Sequence, residues 1–228
     1  MVKVTFLGHA CFMVQTDSHK VLIDPFLTGN PQATLKAEEV EADAILITHG
    51  HDDHIGDALA ISKRTGAMIV ANFEISSYLG RKEAKTHPLH IGGSREFDFG
   101  KVKLTPAFHG SSRIEDDAFV YLGMPAGVLL TMGGKTIYHA GDTGLFGDMK
   151  LLGEMNEIDV ALLPIGDNFT MGVADAVKAV EFLNPKYVVP MHYNTWEIIN
   201  ANPQEFVDLL KESPAQAVAL KPNESLSL

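Results

Sequence analysis

Three histidines and two aspartates fall within six consecutive positions, His49-Gly50-His51-Asp52-Asp53-His54, directly after the apolar run Ala44-Ile45-Leu46-Ile47. Imidazole nitrogen and carboxylate oxygen are donors that divalent transition metals take from proteins, so the string reads as part of a metal site. The apolar run predicts a strand that delivers a loop of imidazoles at its end, and His54-Ile55-Gly56-Asp57 then reads into a helix. His51 and His54 stand three apart, so one helical turn aims both toward a common centre.

Further donors sit where other strands should end. His109 follows Leu104-Thr105-Pro106-Ala107-Phe108, Asp142 follows Ile137-Tyr138-His139-Ala140-Gly141, and His192 follows Tyr187-Val188-Val189-Pro190-Met191. Loops at the ends of several strands converge on one edge of a sheet, where a rigid frame can hold chemistry. His139 lies inside its strand, which makes it a core or supporting residue rather than a ligand. His19, His87 and His90 stand in turn-like or polar contexts and read as solvated. Cys11 is the one cysteine, so no intrachain disulfide forms, and a thiol with no base evident beside it reads as a small buried hydrophobe.

The elements that must position these side chains follow from periodicity. Residues 2–7, 11–15 and 20–23 alternate apolar with polar residues and predict a small antiparallel sheet. A helix is expected from about His54 to Arg64, a strand at 67–71, and a second helix at 73–82. Residues 95–99 and 101–108 predict one hairpin through Gly100, and 128–132 and 135–139 another through Gly133-Gly134. The last third predicts a strand at 158–164, a helix at 175–183, a strand at 186–190 and a final helix from Asn202-Pro203 to about Lys211. Strands and helices thus recur in two successive halves, the pattern of two packed sheets with helices outside.

Composition bounds the partners. At 228 residues with 46% hydrophobic content, the chain fits one domain spanning residues 1–228, with no linker or low-complexity run dividing it. A formal net charge of -11 argues against tracking a phosphate backbone, so no nucleic-acid partner is expected, and a small-molecule substrate fits better. The first apolar stretch breaks at Gly8-His9, too early for a secretory signal, and no later run reaches membrane-spanning length. The expectation is a cytoplasmic protein with no membrane partner, either monomeric or a homo-oligomer.

The pattern His49-x-His51-x-Asp53-His54, followed by His109, Gly141-Asp142-Thr143 and His192, resembles the metallo-β-lactamase superfamily over nearly the whole chain. Within it, Leu7-Gly8-His9-Ala10-Cys11-Phe12, Leu22-Ile23-Asp24-Pro25-Phe26, Tyr138-His139-Ala140-Gly141-Asp142-Thr143 and Pro164-Ile165-Gly166-Asp167-Asn168-Phe169-Thr170-Met171-Gly172 resemble uncharacterised prokaryotic metal-dependent hydrolases related to ascorbate-6-phosphate lactonase. The resemblance implies an α/β (α+β) chain folded as a four-layer αββα sandwich, with the site at one edge of the two sheets. It implies His49, His51 and His109 on one metal, Asp53, His54 and His192 on a second, and Asp142 bridging. Two divalent ions about 3.5 to 4 Å apart would hold a bridging hydroxide, and all-nitrogen and oxygen donors suit zinc first, with manganese or iron as alternatives. Asp53 would orient the hydroxide and shuttle a proton to the leaving group.

Departures from other branches narrow the reading. Secreted β-lactamases of the superfamily carry a signal peptide, and some use a cysteine ligand, whereas Cys11 lies outside every ligand position. Flavodiiron relatives place Glu where His51 stands, and RNA-processing relatives carry extra nucleic-acid modules. Of the remaining segments, His9 and Asp24 read as a buried pair that orients ligands. Asp167, Phe169 and Met171 are candidates to line a pocket, and Ser111, Ser112 and Arg113 are candidates to contact substrate from the polar loop 110–117. The expected activity is hydrolysis of an ester-like bond in a lactone, phosphodiester or thioester. The alternatives are iron-dependent oxidoreductase chemistry on the same ligands, or a metal-binding module without catalysis.

Overall fold

The computed structural model describes all residues, 1–228. The first half of the chain runs β1 (Lys3–Gly8), β2 (Cys11–Gln15), β3 (Lys20–Ile23), β4 (Ala44–Leu46), α1 (Asp52–Ile55), α2 (Ala58–Thr65), β5 (Met68–Asn72), α3 (Phe73–Gly80) and β6 (Thr86–Leu89). The second half runs β7 (Ser94–Phe97), β8 (Gly100–Pro106), β9 (Ser112–Glu115), β10 (Ala118–Tyr121), β11 (Ala126–Met132), β12 (Lys135–His139), α4 (Met149–Met155), β13 (Val160–Pro164), α5 (Val173–Leu183), β14 (Tyr187–Met191), α6 (Pro203–Leu209), β15 (Gln216–Ala217) and β16 (Ser225–Ser227).

Two seven-stranded sheets result, ordered β16-β1-β2-β3-β4-β5-β6 and β15-β14-β13-β12-β11-β8-β7. Each is mixed: antiparallel hairpins form one side, and β3 to β6, or β12 to β15, run parallel on the other. The architecture is the expected sandwich with helices on both outer faces.

Strand alternation assigns each side chain to a layer. Val21, Ile23, Ala44, Leu46 and Val70 point into the core between the sheets, whereas Leu22, Ile45, Ile47, Ile69 and Ala71 point outward against Ile55, Ala58, Ile61, Ile75 and Leu79 of α1, α2 and α3. A strand buried on both faces therefore reads as an uninterrupted apolar run, as Ala44-Ile45-Leu46-Ile47 does. A one-residue slip would exchange the two sets, so register is fixed by burial on both sides.

Several local expectations need correction. The single helix expected from His54 to Arg64 is two, because Gly56 adopts φ 41° where a Cβ would overlap the Pro25 carbonyl, and the Asp57 carboxylate accepts hydrogen bonds from Leu27 and Thr28 N–H. The loop 110–117 is largely strand: β9 and β10 form a separate hairpin turned at Asp116 and Asp117, both with positive φ. The strand β6, the helix α4 and the terminal strands β15 and β16 were not expected from periodicity. His87 is not a solvated turn residue; it belongs to β6 and packs edge-on against Phe97 at 5.1 Å. No helix is long and apolar enough to cross a membrane.

Candidate metal centre

The carboxyl ends of the parallel strands from both sheets open on the same edge of the sandwich, the usual place for a site in open α/β sheets. From the first sheet, β3 ends at Asp24 and β4 leads through Thr48 to His49, His51, Asp53 and His54. From the second, β8 leads to His109, β12 to Asp142 and β14 to His192. The structure brings all seven candidate ligands together.

Their donor atoms form overlapping groups. His49, His51 and His109 make one set, His9, Asp53, His54 and His192 another, and His49, His54 and Asp142 link them, each set within 4.8 Å. His51 Nδ1 lies 3.0 Å from His49 Nε2 and 3.2 Å from His109 Nε2. Asp142 stands between the sets: Oδ2 is 2.9 Å from His192 Nε2 and 3.5 Å from His109 Nε2, while Oδ1 is 3.3 Å from His54 Nε2. His51 precedes α1, as its N-cap, rather than lying within it, so His51 and His54 serve different sets instead of the common centre their spacing suggested.

The surrounding hydrogen bonds fix which nitrogen of each ring is free. Asp24 Oδ2 is 2.8 Å from His54 Nδ1, so a carboxylate that can only accept places the proton on Nδ1 and leaves Nε2 with a lone pair. Thr48 Oγ1 donates to the same Oδ2 at 2.6 Å and therefore accepts from His49 Nδ1 at 3.0 Å, freeing His49 Nε2. Thr48 N–H donates to Asp24 Oδ1 at 2.9 Å. On the other side, His9 Nε2 lies 3.1 Å from Asp53 Oδ2 and must donate, so Nδ1 accepts from Thr195 Oγ1 at 2.7 Å. Asp24, His9 and His192 all hold left-handed backbone, with φ 46°, 59° and 54°, a conformation rarely tolerated unless its surroundings impose it.

Electrostatics point to a cation. Burial lowers the pKa values of His49, His51 and His109, keeping them neutral and able to ligate. Burial likewise pushes His9 down to about 4. At His54 burial opposes the charge, yet Asp142, Asp24 and Asp53 hold the imidazole well above its ordinary value. Burial would raise Asp142 and Asp53, but His192 and His54 hold the first, and His54 and His9 the second, below the carboxylate range. These carboxylates therefore demand positive charge in a buried place, where His54 Nε2 and Asp142 Oδ1 face each other at 3.3 Å and have no other hydrogen-bond partner. An unpaired buried donor set of this kind is costly unless a metal takes the lone pairs, so the residues present fit a divalent ion.

The remaining candidates divide by position. His139 is buried in the core, its Nε2 donating to the Ala10 carbonyl at 2.8 Å and its Nδ1 accepting from Gly141 N–H at 3.1 Å, which pins the turn that presents Asp142. Ser111 is buried rather than facing a substrate: its hydroxyl accepts from Gly50 N–H at 3.0 Å and donates to the Leu122 carbonyl at 3.1 Å, propping the loop that carries the histidines. Arg113 reaches the same loop from outside, 2.9 Å from Asp52. Asp167 and Phe169 are exposed at the rim, whereas Met171 is buried in the core and its N–H binds the Thr143 carbonyl at 2.9 Å, beside Asp142. Thr48, Thr195 and Trp196 were not foreseen. Trp196 packs edge-on to His9 with ring centroids 5.1 Å apart.

Comparison with known proteins identifies the family. Residues 3–192 match the family model for the β-lactamase superfamily domain. A UPF0173 metal-dependent hydrolase from Geobacillus sp. (strain WCH70) is 56% identical over the full length of both chains. The solved structure of Igni18, a metallo hydrolase from the archaeon Ignicoccus hospitalis, is similar with TM-score 0.90 and 40% identity, covering 99% of this chain and 97% of that one. The diiron β-hydroxylase CmlA from Streptomyces venezuelae, with TM-score 0.75 and 16% identity, covers all of this chain but 54% of its own and shares the fold alone. With a histidine-rich edge shared between two sheets and full-length likeness to these relatives, the chain belongs to the UPF0173 metal-dependent hydrolases of the metallo-β-lactamase superfamily.

Proposed function

We propose that the protein cleaves an ester-like bond, in a lactone, phosphodiester or thioester, of a small molecule at a centre of two divalent ions, zinc first among them. His49, His51 and His109 would hold one ion, Asp53, His54 and His192 the other, and Asp142 both. The observation that carries this reading is the asymmetry of the donor set: His49, His54, Asp142 and His192 are buried, while His51, Asp53 and His109 retain access to solvent. A structural metal site is normally closed by four ligands, and an open face is what a hydrolytic site requires.

When bound, the ions supply a water that ionises near neutral pH and positive charge against the scissile oxygen. Asp53, its side chain 23% exposed, is the one carboxylate of the set open to solvent, and its Oδ2 is the place for the water's proton and for delivery to the leaving group. Neutral His9 donates to that oxygen and fixes the orientation of the carboxylate, while Thr195 holds the His9 tautomer. Asp24 and Thr48 orient His54 and His49 in the same manner.

Elemental analysis of the purified protein, followed by a panel of lactones, phosphodiesters and thioesters with His51→Ala and Asp53→Ala beside it, tests the reading. Turnover that depends on metal and on both residues is expected. Activity unchanged in Asp53→Ala, or iron-dependent oxygen consumption without hydrolysis, would overturn it.

A further inference from the structure

The opening of the centre carries exposed aromatic side chains on loops that the sheets hold in place. Trp196 is 41% exposed although tryptophan is the largest apolar side chain, and it packs against His9 and Phe26, 5.1 and 6.0 Å away by ring centroids. Its loop is pinned rather than loose. Thr195 is bonded to His9, Asn194 takes φ 57° and its N–H binds the Ile199 carbonyl at 2.9 Å, and its Oδ1 accepts from Ala201 N–H at 2.9 Å. Phe169, 51% exposed, rides on a turn with left-handed Asp167 and Asn168, tied to Thr143 beside Asp142. Phe108, 66% exposed, immediately precedes His109 and packs edge-on against Phe146 at 5.3 Å.

Charge gives the complementary half of the argument. The charged groups acting most strongly on His9, the clustered histidines, Asp53 and Asp142 are imidazoles and carboxylates, with no lysine or arginine among them. Arg113, the guanidinium nearest in sequence to His109, is committed to Asp52 at 2.9 Å. The centre itself thus offers imidazoles and carboxylates, and an apolar group beside the scissile bond would cover aromatic surface now facing water.

Resting on the ester-bond reading above, we propose that the substrate carries an uncharged apolar group of aryl size beside its scissile bond, and that Trp196, backed by Phe26, is the wall it packs against. Trp196 is then a specificity-determining residue that discriminates among esters by the apolar arm they carry.

The chain contains one tryptophan, so intrinsic fluorescence reports on this wall alone and needs no turnover. Metal-loaded protein is titrated with phenylacetate and with acetate, which offer the same carboxylate with and without an aryl arm. Phenylacetate is expected to saturate at a concentration about tenfold lower and to shift the emission to shorter wavelength. In parallel, kcat/KM is measured for methyl phenylacetate and methyl acetate. The preference for the aryl ester is expected to fall about tenfold in Trp196→Ala, through KM, and to be largely restored in Trp196→Phe, with metal content reporting that each variant is folded. Equal affinity for the two carboxylates, or a preference unmoved by Trp196→Ala, overturns the proposal. If neither ester is cleaved, the bond assignment has failed, and the fluorescence titration still decides on the wall.

Discussion

Asp24 Oδ2 lies 2.8 Å from Nδ1 of His54, at the end of a strand neighbouring the one that delivers the histidines. Through Thr48 the same carboxylate also sets the ring of His49, so one buried anion governs a histidine in each of the two donor sets. In Asp24→Asn the left-handed backbone at φ 46° is tolerated, because Asn adopts it readily, and what is lost is the charge and one of the two acceptor oxygens that hold Thr48 and His54. Metal affinity is expected to fall roughly 10- to 100-fold, read by competition with a chromogenic chelator. An unchanged affinity would remove Asp24 from the centre.

His9 acts on Asp53 rather than on the triple-histidine set. His9→Asn, again compatible with a positive φ, deprives Asp53 Oδ2 of its donor. Turnover is expected to drop by about 10- to 100-fold with KM little altered, while an ion proposed to sit on His49, His51 and His109 should be retained. Single-turnover kinetics with metal analysis on the same sample checks both parts. Loss of both ions together would show a wider collapse than this arrangement predicts.

Ser111→Ala leaves the Gly50 N–H unpartnered inside the fold, while the Leu122 carbonyl keeps the Asn72 amide at 2.8 Å. A cost of about 1–3 kcal/mol is expected, read from the shift of the urea midpoint at unchanged slope. Metal binding should weaken with it, since Gly50 sits between His49 and His51. A stability equal to that of the parent would mean that Ser111 is no prop.

Acidification should destabilise the metal-free protein. His9, His49, His51, His109 and His139 have pKa values lowered in the fold, burial being the leading cause, so the unfolded chain binds more protons below about 6.5. Their contribution is present above that unfolded value and is lost as pH falls through the window below it. His54, raised in the fold, works in the opposite sense, its contribution being lost as pH rises through its folded pKa. Five groups against one give a melting temperature lower at pH 5 than at pH 7.5, by roughly 5 °C or more in calorimetry. A higher value at pH 5 would place His54 in command.

Metal addition supplies a third check on stability. Ions that bind only the folded chain should raise its melting temperature in a concentration-dependent way, by about 4 kcal/mol of stabilisation at a thousandfold excess over Kd. A chelator should reverse the gain.

The donors at strand ends were legible in the sequence because burial forces apolar continuity on a two-faced strand and the polar residue that breaks it must lie at the edge. His109, Asp142 and His192 all obey this. The helix break at Gly56 was less visible, since it depends on the close approach of Pro25 from a distant segment. The β9–β10 hairpin was hidden by its polarity: Arg113, Glu115, Asp116 and Asp117 mask an alternation whose turn signal is the Asp116-Asp117 pair. Thr48 and Thr195 left no trace at all, because a hydroxyl that fixes a ring tautomer is indistinguishable in sequence from one that faces water.

The division of donors between the sheets also bears on timing. A chain emerging from the ribosome presents His49 to His54 while His109, Asp142 and His192 are still to be made. Synthesis must pass residue 192 before both halves of the centre exist, so a full donor set requires the meeting of the two sheets. The first half of the chain offers four of the seven candidate donors, and only the finished edge offers them all.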